Sequence, residues 1–326
     1  MPKLIDIANQ TCSRLRGDEN IEINYIRPID EANPDCIVFV SKKNTKELKN
    51  GNKAGAYLTT ESLINCFHSS DNLLITDNLT LSLVKLINIF KSKNHTEYYI
   101  SFPESILKNT TIGSNVKISK DCILGKHCII GNNVVIEQNV TVGSYSVIGH
   151  NTVIGSDTVI GENCTIEHSV VLGSEGFGNH RNANKEWVHI PHIGGVKIGN
   201  NVSIGSGTCI DRGTLKNTII EDGVIIDNLV HIAHNVYIGK NTAIAAKVGI
   251  AGSCIIGKNN LIGGMVGIID HISTCNDVTI SATSSVTRNI DKPGIYSGIM
   301  PTIPHQTWMR VALSITKLDK ITKNKI

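Results

Sequence analysis

The amino-acid sequence predicts a mainly β chain whose central part is wound into a parallel β-solenoid. Three features predict it. An aliphatic residue recurs at every sixth position: Ile112, Ile118, Leu124, Ile130, Ile136, Val142, Ile148, Ile154, Ile160, Ile166 and Leu172. Two places before each of these, from Ile118 on, stands a small or β-branched residue such as Val116, Cys122, Cys128, Ser146, Thr152 or Cys164. Glycine follows the aliphatic position at 113, 125, 131, 143, 149, 155, 161 and 173. A period of six does not fit the ~3.6 of a helix; it is three strand alternations with a corner where glycine relieves the backbone. Stacked short strands of this kind bury each coil's aliphatic corner on the next. A β-sandwich with glycine-rich turns does not hold a fixed residue period.

The frame breaks after Leu172 and resumes at Ile198, Ile204 and Ile210. It slips by four residues around Asp211-Arg212-Gly213, then runs from Ile220 to Ile268 in steps of six. The solenoid is therefore assigned to 101–300, with an insertion at 174–195 that carries Glu175-Gly176-Phe177-Gly178 and Trp187. Long loops on rigid scaffolds tend to be functional, an inert surface flap being the alternative. Cys122, Cys128, Cys164 and Cys254 fall in the small inward slot, which makes them reduced packing residues rather than disulfide partners or metal ligands.

Residues 1–100 lack the frame and read as a small α/β cap domain. Ile37 to Val40 and Ala54 to Leu58 read as strands. Leu83, Leu86, Ile87 and Phe90 share one helical face, with Thr80 as N-cap. Over 301–326, after Pro301 and Pro304, the pattern turns helical again. Trp308, Val311, Ala312, Ile315 and Leu318 lie on one side, and Lys317, Lys320, Lys323 and Lys325 make a basic tail. Such a tail is usually only solvated; otherwise it attracts an acidic partner.

Composition narrows the function. The balance of 31 basic and 28 acidic residues, a formal +3, is too weak to argue for a nucleic acid. No apolar run approaches the ~20 residues that span a bilayer, and the first residues do not read as a signal peptide. The expectation is a soluble cytoplasmic protein with no transmembrane segment.

Among the 12 histidines, His127, His150 and His168 take outward positions of ordinary hexads. His234 lies two residues past Ile232, so its side chain faces outward, and Asp227 and Asn228 precede it. Gly252 follows 18 residues later, one coil on, and stacks over His234; its bare backbone leaves room for a substrate and exposes an N–H. His271 lies 37 residues beyond His234, close to two coils along. An imidazole suits removal of a proton from a hydroxyl or ammonium as it attacks a carbonyl, and a backbone N–H suits the oxyanion that forms. A lone outward histidine is otherwise plain surface. His231 with His234 could instead begin the three-histidine metal set of a hydratase resembling the gamma-class carbonic anhydrases, and a non-catalytic scaffold would make no demand on His234.

These hexads resemble the hexapeptide-repeat acyltransferases, which implies a left-handed parallel β-helix and a homotrimer. Asp211-Arg212-Gly213-Thr214, Ile225-Ile226-Asp227-Asn228, Ile232-Ala233-His234-Asn235-Val236, Gly173-Ser174-Glu175-Gly176-Phe177-Gly178 and Pro293-Gly294-Ile295-Tyr296-Ser297-Gly298 look like the N-acyltransferases of lipid A synthesis that act on UDP-3-O-acylglucosamine. That resemblance implies transfer of a 3-hydroxyacyl group from acyl carrier protein to the sugar's 2-amino group. It makes His234 the general base, Asp227 its orienting partner, Asn228 a support, Gly252 the oxyanion donor and His271 a substrate residue. It requires no metal and no bound cofactor, the donor carrying its own 4'-phosphopantetheine. Phe39 matches one of the rings that hold the uracil, though it could equally be core. The ring expected opposite it falls on Thr45, so Lys42 or Lys43 would instead meet the diphosphate. Phe177 belongs to the insertion motif at the substrate. Arg288 matches a basic position facing the acidic carrier protein, with the lysine-rich tail as further docking charge. Another hexapeptide-repeat acyltransferase, acting on a different nucleotide sugar, is the nearest alternative.

Overall fold

A computed structural model describes residues 1–42, 44–50, 53–91, 96–298, 302–315 and 317–318. Lys43 and the tail lysines 320, 323 and 325 lie outside them. The N-terminal part folds around a five-stranded sheet, in the order Arg14–Arg16, Leu73–Ile75, Ala56–Thr59, Cys36–Phe39 and Tyr25–Arg27. The first pair is antiparallel and the others parallel. Helices Leu4–Thr11 and Leu79–Phe90 supply Leu4, Ile7, Leu83, Leu86 and Ile87 to its core. The second helix starts earlier than the sequence reading placed it. Asn78, not Thr80, is the cap, because its side-chain oxygen accepts the Leu81 N–H at 3.0 Å.

From Thr110 on the chain is a three-sided parallel β-helix. Its faces are sheets of nine, seven and ten strands. Partners within a face lie 18 residues apart where the hexads are regular, as in Val135 with Val153 and Ile136 with Ile154. Across the four-residue slip they lie 22 apart, as in Cys209 with His231, and beyond it 18 again, as in His231 with Gly249. The aliphatic slots form one continuous core from Val116 to Ile290. Each fully buried isoleucine stabilises by roughly 1.5–3 kcal/mol.

The small slot is small for a reason the backbone supplies. Its hydroxyls and thiols donate to a carbonyl 15 residues on: Ser146 Oγ to Gly161 O at 2.9 Å, Thr152 Oγ1 to Glu167 O at 3.0 Å, Cys254 Sγ to Ile269 O at 3.0 Å. A Ser, Thr or Cys there satisfies a corner carbonyl while filling the interior. All nine cysteines are unpaired, and burial pushes the Cys122 thiol up to about 11.

The corners are equally regular. Asn115, Asn133 and Asn151 take φ of 56°, 58° and 60°, the left-handed region that asparagine tolerates best after glycine. Their amides form a ladder, Asn115 Nδ2 to Asn133 Oδ1 at 2.9 Å and Asn133 Nδ2 to Asn151 Oδ1 at 3.0 Å. On the neighbouring corner position, a side chain one coil on accepts the N–H below it. His150 Nδ1 takes Asn132 N–H at 2.7 Å, and His168 Nδ1 takes His150 N–H at 2.9 Å. Those two histidines are corner caps.

The insertion contains a two-stranded hairpin, Asn179–Arg181 with Trp187–His189. It is tied down on both sides. Lys91 of the cap and His189 both bond Glu175, at 2.8 and 2.6 Å. Burial alone would raise the Glu175 pKa, but these two partners hold it below the usual carboxylate range. Arg212 donates to Gly194 O at 2.6 Å and to Asp157 Oδ2 at 2.9 Å. Ile190, Ile193 and Leu215 pack onto the cap's core, joining the two parts of the molecule. The C-terminal helix, His305–Ile315, has no buried residue. Among the described residues, no helix is long and apolar enough to cross a membrane.

Candidate active site

His234 leaves the corner that follows strand His231–Ile232 and is half-buried. Its Nδ1 lies 3.1 Å from Asn235 Oδ1. The orientation of that amide is fixed by its other bonds. Asn235 Nδ2 donates to Lys216 O at 3.1 Å, while Oδ1 accepts from Thr214 N and Thr214 Oγ1, both at 3.1 Å. An amide oxygen can only accept, so Nδ1 of His234 carries the proton. In the neutral ring Nε2 then holds the lone pair, the state a general base needs. Asn235 holds this position with φ 61°, in the corner column that continues to Ser253 and His271 at 61° and 59°.

One coil on stands Gly252, where a Cβ would sit 2.8 Å from Nε2 and Cε1 of His234. No other residue leaves the ring in place. At several hexad-equivalent corners the N–H is capped by a side chain 18 or 22 residues further on, as Asn228 Oδ1 caps Ser206 N–H at 2.7 Å. Glycine cannot do this for His234, and Asp270 does not do it for Gly252. Among the described residues the Gly252 N–H donates no hydrogen bond.

Two cavities meet here. The larger, of about 700 Å³, is lined by Phe177, Asp211, His231, His234, Gly252 and His271, among others. Its floor is open because Gly249 and Gly267 have nothing within 4 Å of where a Cβ would be. The smaller, of about 360 Å³, lies between cap and β-helix and brings Phe39 together with Thr214, Asn235, Ser253 and His271. Phe39 is half-buried against the cap's core, so it is both core and cavity wall. Phe177 is 86% exposed at the cavity mouth.

Other expected residues stand apart. Asp227 and Asn228 follow strand Ile225–Ile226, on a different face from His234. Asp227 Oδ1 accepts from Asn228 N and Nδ2, at 2.7 and 3.0 Å, and neither residue touches His234 in this chain. Seven residues is little more than one hexad, which is one side of a three-sided coil. Within the protomer the side chain that bonds the His234 ring is that of Asn235. Lys42 is exposed and outside the lining of the cap cavity. Arg288 is exposed beside a separate hollow of about 400 Å³ formed with Asn289, Tyr296 and their neighbours. Histidines do not gather into a three-membered metal set among the described residues.

One residue of the site was not legible in the sequence. His192, at the end of the insertion, is 1% exposed and meets the His234 ring edge-on at 5.0 Å between centroids. Its Nδ1 donates to Ile190 O at 2.9 Å, while its buried Nε2 has no hydrogen-bond partner among the described residues. Burial, then the neighbouring His234, push its pKa down to about 4. His192 is therefore a neutral wall. Gly176 makes room for both rings, since a Cβ there would lie 2.9 Å from His234 and 3.2 Å from His192 Nε2.

Residues 105–138, 133–168 and 217–252 match the bacterial transferase hexapeptide (six repeats) model. The chain is 34% identical, over 98% of its own length and 95% of the relative's, to a UDP-3-O-acylglucosamine N-acyltransferase of Coxiella burnetii. A protein of that name from Bordetella avium is 48% identical over 151 residues, 45% of this chain and 42% of that one. The UDP-N-acetylglucosamine acyltransferase of Francisella novicida superposes with a TM-score of 0.53 at 21% identity, covering 65% of this chain and 79% of that one. That of Campylobacter jejuni gives 0.51 at 23% identity over 58% and 72%. Both share the fold.

Proposed function

The chain belongs to the UDP-3-O-acylglucosamine N-acyltransferase family, and from that premise we propose that it transfers a 3-hydroxyacyl group from acyl carrier protein to the 2-amino group of a UDP-3-O-acylglucosamine. The observation that carries the reading is the pairing of a His234 ring held through Nδ1 by Asn235 with the unused N–H of Gly252, one coil apart on the wall of an open cavity. In the reaction the sugar amine attacks the thioester carbon and a C–N bond forms. His234 Nε2 takes the proton released from nitrogen, and Gly252 N–H donates to the oxyanion. Collapse breaks the C–S bond, and the proton passes from His234 to the departing thiol of 4'-phosphopantetheine. The thioester is already activated, so the step requires no metal and no bound cofactor.

The cavity between cap and β-helix suits the sugar nucleotide, with Phe39 against the uracil and His271 where that cavity meets the larger one. Lys42 would reach a diphosphate only from outside the cavity wall. The glycine-floored groove beyond Phe177 suits the acyl-pantetheine arm, and Arg288 offers positive charge to an acidic carrier. Homotrimer assembly is supported by an apolar stripe on one face: Ile129, Ile225, Leu261 and Ile295 are 48–79% exposed there.

The test is an assay of the purified chain with UDP-3-O-acylglucosamine and a panel of acyl carrier thioesters, read by mass. An N-acylated sugar nucleotide is expected. His234→Ala should abolish turnover with melting temperature and oligomeric mass unchanged. Absence of product from every donor, or full turnover by His234→Ala, refutes the reading.

A further inference from the structure

A cluster of soft and hard ligands lies beside the base and takes no part in the reaction above. Cys209, Asp211 and His231 each place a ligand atom within 4.8 Å of the others. Cys209 and His231 are register partners on adjacent strands, so both side chains leave the same face of the sheet. Asp211 ends the Cys209 strand, with its carboxylate 7% exposed. Its Oδ2 lies 3.7 Å from His231 Nε2, and its Oδ1 lies 3.8 Å from Cys209 Sγ. Tetrahedral zinc, with bonds of about 2.0–2.3 Å, sets ligand-to-ligand separations of about 3.3–3.6 Å. Two edges of the cluster come within a few tenths of that. Ser174 Oγ donates to Asp211 Oδ1 at 2.7 Å and lies 3.2 Å from Cys209 Sγ, so it orients both ligands from behind.

The geometry points to a thiolate–carboxylate–imidazole site for one Zn²⁺ per protomer, whose open fourth position faces the His234 cavity, so that the bound ion reversibly blocks acyl transfer. Asp211 and His231 line that cavity together with His234, so an ion held by them sits in its wall. Binding exchanges metal-bound waters for the three side chains, and the Cys209 thiol gives its proton to solvent; nothing is oxidised or reduced. The blocking half of the inference rests on the acyl-transfer reading. The binding half does not.

The experiment uses the full chain, stripped of metal by a chelator, in a Cys12→Ser/Cys66→Ser background that removes the two exposed thiols. Co²⁺ alone is the probe. Saturation at one ion per chain is expected, with a near-ultraviolet thiolate-to-cobalt charge-transfer band that Zn²⁺ displaces. Cys209→Ser should remove the band. His231→Ala, at an exposed position that leaves the fold intact, should weaken Co²⁺ by at least ~10-fold. Unsaturable binding, or a band that survives Cys209→Ser, overturns the site. Co²⁺ binding as described with undiminished acyl transfer in Zn²⁺ overturns only the blocking. A metal-free chain that transfers no acyl group refutes the proposed reaction and leaves the metal site standing.

Discussion

Replacing Gly252 by alanine adds one methyl group at a point where the structure leaves none to spare. The new carbon would lie 2.8 Å from both Nε2 and Cε1 of His234, against an ordinary contact of ~3.5 Å. The ring must therefore move by roughly 0.7 Å, and its anchor on Asn235 at 3.1 Å stretches with it. The methyl also covers the lone pair that receives the proton. A displacement of ~1 Å in a reacting group costs ~100-fold in rate, so kcat should fall by about 10- to 100-fold, equivalent to about 1.4–2.7 kcal/mol. The backbone itself tolerates alanine, because Gly252 is not in the left-handed region. Hence the melting temperature should shift by only a few degrees. Gly264→Ala is the control, its Cβ meeting only Ala246 O at 3.4 Å. Steady-state kcat and KM for the sugar nucleotide, with thermal melts of both variants, make the assay. Wild-type kcat in Gly252→Ala, or an equal loss in Gly264→Ala, would refute the stacking of base and glycine.

Asn235→Ala removes the acceptor that fixes the His234 tautomer and strands the Thr214 N–H. It should lower kcat by ~10-fold or more and stability by about 1–3 kcal/mol, with imidazole nitrogen NMR showing Nε2–H appear beside Nδ1–H. His192 is held neutral, its pKa pushed from 6.5 to about 4 in the folded chain. Between those values the unfolded chain binds more protons, so stability is full above pH 6.5 and falls as pH drops towards 4. The loss is up to roughly 3 kcal/mol, and His192→Gln should flatten it in urea titrations at fixed protein concentration. Asn260 is fully buried, with Oδ1 accepting Val278 N–H at 2.8 Å and Nδ2 donating to Thr274 Oγ1 at 2.7 Å. Asn260→Ala should cost about 2–4 kcal/mol in the same measurement.

What the sequence revealed and what it hid follow one physical division. Wherever the hexad frame runs, position fixes direction, so the aliphatic core, the inward cysteines and the His234–Gly252 stack were all readable by counting. The same counting tells against Asp227, which follows Ile226 on one side of the coil while His234 follows Ile232 on the next. Asn235 shares the His234 motif, but its effect depends on Thr214 and Lys216, brought close only by the four-residue slip. His192 lies in the insertion, which has no period, so nothing in the spacing of Ile190-Pro191-His192-Ile193 signalled that the chain folds back onto the base. Its one hint was a lone polar residue in an apolar run.

The amide ladder and the stacked slots tie each coil only to the coils above and below it. Length is therefore editable in units. Duplicating one whole coil between residues 113 and 166 would lengthen the prism by ~4.8 Å and leave every reacting atom where it was. A coil copied from that stretch, carrying neither residue, and inserted between His234 and Gly252 would carry the amide one storey away from the imidazole and should abolish turnover while the fold is kept.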